Sequence, residues 1–182
     1  MTEDTKLDTV CFTGHRPEKL PDSPFVIKAL KSMLYKNISD CAEKGCRRFI
    51  TGAARGVDLW AAEIIMEEKA RGRDYELIAA IPYREHGSGF KGYDKWVFGN
   101  LMLKADSIVY VSEEYSRNCM KKRNEYMVEH SGNLIAVVSD FKSGTGQTIR
   151  LAQKAGLNIH IINAASIDND ISNLTDNSYE LV

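Results

Sequence analysis

No run in this chain approaches the roughly 18 consecutive apolar residues that a membrane-spanning helix needs. The opening stretch, Met1 to Asp8, is polar and has no apolar signal core. No membrane partner is expected, and the cytoplasm is the expected location. Neither sign of charge is in excess: 24 Lys and Arg stand against 25 Asp and Glu, a formal net charge of −1. A strong duplex-DNA binder usually needs a basic surplus to displace counterions, so that class is disfavoured. One local basic cluster remains at Arg117, Lys121, Lys122 and Arg123. The four cysteines (Cys11, Cys41, Cys46, Cys119) form no C-x-x-C pair, and the four histidines (His15, His86, His130, His160) show no ligand spacing with them. No metal site is expected, and the thiols read as buried and free in a reducing compartment. Also missing are a G-x-G-x-x-G after a strand, the Gly-Lys-Ser/Thr that closes a P-loop, and a G-x-S-x-G elbow. No cofactor is therefore expected, and no Ser-His-Asp or Cys-His constellation can be assembled.

What the chain does have is alternation. Its 182 residues, 43% of them hydrophobic, suit one α/β domain with a real core. The expected strands are 9–13, 48–51, 77–81, 107–111, 134–139 and 158–162. Helices are expected over 24–43, 57–70, 93–104, 120–130 and 145–155. Ile27, Leu30, Leu34, Ile38 and Cys41 recur at steps of three and four, one face of a helix. Trp96, Val97, Leu101 and Leu103 are read as the apolar residues of another. Runs such as Ile135-Ala136-Val137-Val138 are apolar throughout, as in a parallel sheet covered on both faces. Short connections then give a doubly wound, mostly parallel sheet with helices on both faces. The domain is read as 1–182, with its core over about 9–162 and a loose polar tail over 163–182. The glycine-rich stretch from Tyr83 to Tyr93 is read as a binding loop or lid. An exposed apolar helix face would signal a homodimer, which the sequence does not separate from core.

Three strand-to-helix turns carry small residues beside polar groups. In Thr13-Gly14-His15-Arg16-Pro17, Arg16 offers a planar fork for phosphate or carboxylate, and His15 a group that titrates near neutrality. In the second turn, Gly52 and Gly56 bracket the chain before Asp58. Asp58 is either a helix cap or an acceptor for a ligand hydroxyl. The third, Ser143-Gly144-Thr145-Gly146-Gln147-Thr148, suits either phosphate cradling or an ordinary hydroxyl cap. Right-handed crossovers bring all such turns to one sheet edge, where anions bind. Arg123 and Asn124, early in their helix, can reach that edge. Glu63 and the pair Glu113 and Glu114 are further carboxylates, each equally readable as a solvated surface group.

Together, Thr13-Gly14-His15-Arg16-Pro17, Gly52-Ala53-x-x-Gly56-x-Asp58 with Ala61-Ala62-Glu63, Arg123-Asn124-x-x-Met127 and Ser143-Gly144-Thr145-x-x-Thr148 resemble the YpsA-like branch of the SLOG superfamily. That superfamily joins the DNA-processing (Smf) proteins to the lonely-guy phosphoribohydrolases, and the resemblance covers about residues 9–162. It implies a Rossmann-like sheet and a nucleotide or nucleotide-derived ligand at the C-terminal strand edge. Gly14, His15 and Arg16 would meet that ligand from the first turn, and Gly52, Gly56 and Asp58 from the second. Arg123, Asn124, Ser143, Gly144, Thr145 and Thr148 would close the site. The hydrolases carry a pattern like P-G-G-x-G-T-x-x-E at the last turn. Here Thr148-Ile149-Arg150 stand where the acid would be expected.

Three functions follow as expectations. The first is a sensor or regulatory module that binds a nucleotide-like small molecule through its phosphates. The second is a nucleoside monophosphate N-glycosidase with Asp58, Glu63 or Glu113 as acid or base. The third is a single-strand nucleic-acid binder that uses the Arg117–Arg123 cluster with Tyr115 or Tyr126 for stacking.

Overall fold

The computed structural model describes residues 3–177. It contains one six-stranded sheet in which every neighbouring pair is parallel. The strands are β1 (Thr9–Gly14), β2 (Arg48–Thr51), β3 (Glu76–Ile81), β4 (Ser107–Tyr110), β5 (Asn133–Val138) and β6 (Asn158–Asn163). The helices are α1 (Glu3–Leu7), α2 (Pro24–Glu43), α3 (Val57–Ala70), α4 (Gly92–Lys104), α5 (Cys119–Glu129), α6 (Gly144–Lys154) and α7 (Ala164–Asn177). A short 3-10 turn, Pro17–Lys19, follows β1. The strand order is β4-β3-β2-β1-β5-β6. The chain therefore builds outward from β1 to β4, crosses back, and lays β5 on the other side of β1. That reversal leaves a crevice between the C-terminal ends of β1 and β5, where open α/β sheets take their ligands.

The two-residue period of the strands sorts the core into two layers. Phe12, Phe49, Leu77, Ala79 and Val137 face one way, toward α2, α3, α4 and α7. Cys11, Ile50, Ile78, Leu134 and Ala136 face the other way, toward α5 and α6. The doubly wound, Rossmann-like expectation is met. Both faces are covered along the central strands, whereas the edge strand β4 keeps Ile108 and Tyr110 over a third exposed. All four cysteines are buried and free.

Helix α2 has the expected bounds. Pro24 at its first position has a preset φ and no N–H to leave unsatisfied, and Gly45 just past its end takes φ +102°. Its buried stripe runs through Val26, Leu30, Leu34, Ile38 and Cys41, with Ile27 only half-buried. The apolar residues of α4 do not share one buried face, and one expectation fails. In α4 only Val97 and Leu101, one turn apart, are buried; Trp96 and Leu103 are 60% and 85% exposed. The segment from Asn163, read as a loose tail, forms α7, with Ala164 buried and Ile167 and Ile171 packed on the core. Residues 178–182 of that tail lie outside the described residues.

The glycines at the β5–α6 turn differ in what their missing side chains do. A Cβ on Gly146 would stand 1.9 Å from the Phe141 carbonyl oxygen, a backbone atom that cannot rotate away. A Cβ on Gly144 would meet nothing within 4 Å. Gly146→Ala is expected to cost about 1–3 kcal/mol as an overpacked site. Gly144→Ala should stay within about 0.5 kcal/mol of the parent. Urea unfolding of the two variants checks the contrast, and equal stabilities would refute it.

Candidate functional site

A cleft of about 230 Å³ opens at the crevice between β1 and β5. Its walls are the β1 turn (Gly14, His15, Arg16 and Lys19), Ala54 and Asp58 from the β2 side, Met120, Arg123 and Asn124 from the start of α5, and Ser143, Gly144 and Thr145 from the start of α6.

The floor is an ion pair. Arg123 Nη1 donates to Asp58 Oδ2 at 2.8 Å, and the two side chains are 7% and 6% exposed. Gly52 makes the space for it, since a Cβ there would stand 1.4 Å from Arg123 Nη1. The Ala54 amide donates to the same Asp58 oxygen at 3.3 Å. Burial pushes the Asp58 carboxyl up from its ordinary value, and the adjacent guanidinium pulls it back down. Asp58 is thus committed inside the protein. Arg123 is not fully committed: its Nε is buried without a hydrogen-bond partner. A buried, charged donor without an acceptor is costly, and the Arg123 side chain belongs to the cleft lining.

The other walls divide into groups already engaged and groups left open. His15 Nε2 accepts the Asp140 amide at 3.2 Å, so its proton sits on Nδ1, facing Thr145 Oγ1 at 3.4 Å. Burial, and Lys19 nearby, hold this imidazole below its ordinary value. It staples the β1 turn to the β5–α6 turn. The Ser143 hydroxyl caps α6 by accepting the Gly146 amide at 3.3 Å. Thr148 Oγ1 donates to the Gly144 carbonyl at 3.1 Å and accepts from Asn124 Nδ2 at 2.9 Å. Left open are the exposed Arg16 and Lys19, which make no ion pair among the described residues, and the first amides of α6, which have no acceptor within the helix. These are cationic or N–H donors at a helix N-terminus, the chemistry of an anion site.

The β2 turn is held from behind. Ala53 takes φ +55°, in the left-handed region that a non-glycine residue rarely occupies. Its carbonyl accepts a hydrogen bond from His86 Nε2 at 3.0 Å. His86 is buried among Tyr83, Phe90 and Phe98. This anchors the glycine-rich stretch expected from the sequence to be a binding loop or lid. Burial, and then Arg123 and Arg16, push His86 down to about 4.

The sequence-predicted residues separate accordingly. Gly14, His15, Arg16, Asp58, Arg123, Asn124, Ser143, Gly144 and Thr145 line one cleft. Gly52 and Gly56 lie behind it: Gly52 under the ion pair, and Gly56 (φ +85°) where a Cβ would stand 2.6 Å from the His15 carbonyl oxygen. Gly14 also has a packing role, because a Cβ there would collide with Val57 at 2.4 Å. Thr148 lines the adjoining α5–α6 groove. Two catalytic candidates are elsewhere. Glu63 is five residues from Asp58, about 140° round the helix. It pairs with Lys31 at 3.5 Å and bonds Tyr93. Glu113 pairs with Arg84 on an exposed loop, and that guanidinium holds its carboxyl below the ordinary value. In the basic cluster, Arg117, Lys121 and Lys122 are exposed but Arg123 is buried; of the two tyrosines, Tyr126 is stacked on His130 at 4.0 Å and Tyr115 is exposed, edge-on to Tyr83. Sequence reasoning missed Lys19, Ala54, Met120 and His86. Ala54 was the one with a signal, lying between the two glycines of the second motif.

The chain matches the YspA SLOG family over residues 10–170. It is 32% identical over 148 residues to the SPbeta prophage-derived protein YoqJ of Bacillus subtilis (strain 168), covering 74% of this chain and 86% of that one. It is 27% identical over 154 residues to a UPF0398 protein of Bacillus thuringiensis (strain Al Hakam), covering 81% and 83%. Two solved structures share the fold. DNA processing protein A from Helicobacter pylori, described for its single-stranded DNA binding mode, superimposes with a TM-score of 0.60 at 18% identity, covering 96% of this chain and 82% of that one. The same-named protein from Streptococcus pneumoniae gives 0.59 at 15% identity, and this chain spans half its length while 86% of this chain is matched. Among the described residues no helix is long and apolar enough to cross a membrane, and no cluster of potential metal ligands occurs.

Two outcomes are expected. Asp58→Ala leaves Arg123 buried without its counter-charge and should cost about 3–5 kcal/mol, whereas the double variant Asp58→Ala/Arg123→Met should recover much of the loss. Urea melts of the two variants check this. His86 titrates at 6.5 unfolded and about 4 folded, so the unfolded chain binds the proton more readily between those values. Stability present above pH 6.5 is therefore lost as pH falls toward 4, by about 3 kcal/mol in all. His86→Asn should flatten that part of the pH–stability curve, and an unchanged slope would refute the assignment.

Proposed function

The chain belongs to the YspA SLOG family, and from that premise we propose that it binds a nucleotide or nucleotide-derived ligand through phosphate contacts at the C-terminal edge of the sheet, as a sensor or regulatory module. The observation that carries this reading is the unpartnered Nε of buried Arg123 in a cleft that also holds Arg16 and the open N-terminus of α6. Arg123 and the α6 amides are fixed before any ligand arrives, so little ordering cost opposes their part in binding. The lining favours binding over base release. Asp58 is the one carboxylate among the residues lining the cleft, and its charge is already used on Arg123. A general acid needs a carboxyl free to give its proton to the leaving group. The buried free thiols fit a reducing compartment, which supports a cytoplasmic location.

A second reading, single-strand nucleic acid, is favoured by the exposed Arg117, Lys121 and Lys122, of which Arg117 and Lys121 line the groove adjoining the cleft. It is further supported by the fold shared with the Helicobacter protein described as a single-stranded DNA binder. The near-neutral chain, the burial of Arg123 and the stacking of Tyr126 on His130 set it second.

Calorimetry against a panel of nucleotides should find a ligand. Arg16→Ala should weaken it ten- to hundred-fold, the equivalent of about 1.5–3 kcal/mol for a hydrogen bond to a charged group. Arg16 is exposed and makes no ion pair among the described residues, so the variant should melt with the parent, and lost binding cannot be blamed on unfolding. Binding by no nucleotide in the panel, or equal binding by the variant, would overturn the proposal.

A further inference from the structure

The anion cleft does not stand alone. At about 230 Å³ it is smaller than the usual small-ligand site, roughly 300–1,000 Å³, so a whole nucleotide must extend out of it. Two cavities adjoin it, and Met120 lines all three. Their chemistry differs.

On the β3 side lies a pocket of about 310 Å³ walled by Tyr83, His86 and Phe90, with Arg16 and Ala54 at its junction with the cleft. Apart from Arg16, which it shares with the cleft, its charged groups offer a phosphate no free cation. Glu85 is exposed there and makes no ion pair among the described residues. Arg55 is already neutralised by Glu18 at 2.5 Å and Asp94 at 2.7 Å. Aromatic walls beside an open carboxylate suit a base and a sugar, whose hydroxyls donate to the carboxylate.

On the other side a groove of about 460 Å³ runs between α5 and α6. It follows α6 from Gly144 to Lys154, roughly 15 Å at 1.5 Å per residue. Arg117, Lys121, Arg150 and Lys154 line it, against the single acid Glu125, which pairs with Lys121 at 3.7 Å. Asn124 and Gly144 are common to groove and cleft, so the two are continuous. A trough with one cationic arm repels nothing negative and concentrates anions along its length.

Resting on the nucleotide reading above, we propose that the ligand is a nucleoside bearing a row of phosphates. The nucleoside lies in the Tyr83–Phe90 pocket, the first phosphate on Arg123, Arg16 and the N-terminus of α6, and the later phosphates along the α5–α6 groove. The asymmetry of the two arms fixes this direction, since the reverse placement would set phosphates against Glu85 and leave the cation-rich groove, four cations against one acid, without an anionic ligand.

The test is calorimetry on the full chain at fixed salt with EDTA, using adenosine and guanosine mono-, di- and triphosphates, inorganic triphosphate and an oligothymidylate. Affinity should rise at least tenfold from mono- to triphosphate. The matching nucleoside triphosphate should bind at least tenfold tighter than inorganic triphosphate. Lys121→Ala/Lys154→Ala, both surface changes, should weaken the triphosphate about tenfold and the monophosphate less than twofold. Equal binding of mono- and triphosphate, or equal weakening of both by the double variant, overturns this direction while leaving phosphate recognition in place. Inorganic triphosphate binding as well as the nucleotide removes the nucleoside pocket. Saturable binding of the oligonucleotide alone replaces the proposal with a nucleic-acid site. Failure of every nucleotide, monophosphates included, overturns the underlying function as well.

Discussion

The Asp58–Arg123 ion pair is the constraint on which the rest of the site depends. Its members come from helices on opposite faces of the sheet, α3 and α5, and meet beyond the strand ends. Neither charge is tolerable alone in a dry site, so each fixes the other, and the two helix N-termini with them. Gly52 is the space the guanidinium occupies, the Ala54 amide is the carboxylate's second donor, and His86 holds Ala53 in its left-handed turn. A chain of local requirements thus runs from a glycine-rich loop, through one turn, to the orientation of a single arginine.

Much of the fold was legible because its signals are local. The bounds of α2 follow from Pro24 and Gly45, and those of α3 from Gly56 and its apolar stripe. The central strands declare themselves by being apolar on both sides. What the sequence left open has a different cause. Trp96 and Leu103 are apolar residues on faces that no neighbouring element covers, and α7 is polar in composition yet places Ile167 and Ile171 a turn apart against the core. Which faces are covered is a tertiary fact. Glu63 was drawn into the site by its nearness in sequence to Asp58, and helical geometry points it away. Arg123 was flagged, but its partner lies 65 residues earlier, and no local pattern joins them.

Glycines illustrate the same division. Gly14, Gly52 and Gly146 are fixed by what stands against them: a valine side chain, a guanidinium and a backbone carbonyl. Gly144 is pressed by nothing and faces the cleft. In the sequence all four belong to similar small-residue turns. Only the surroundings separate a glycine required by packing from one that leaves room for a ligand.

The hydroxyls and imidazoles of the site turn inward, and this determines what it can hold. Ser143 caps α6, Thr148 bridges α5 and α6, and His15 joins two turns, so the obvious hydrogen-bonding side chains are consumed in building the cleft. What faces the opening is positive: guanidinium, ammonium and helix-end amides. The same field is felt by His86, whose imidazole is kept neutral first by burial and then by Arg123 and Arg16. An anion seated on those arginines offsets the charges that help to hold that proton off. Ligand binding and protonation of His86 are therefore linked with a definite sign, each favouring the other, and by reciprocity the coupling must be the same read from either end.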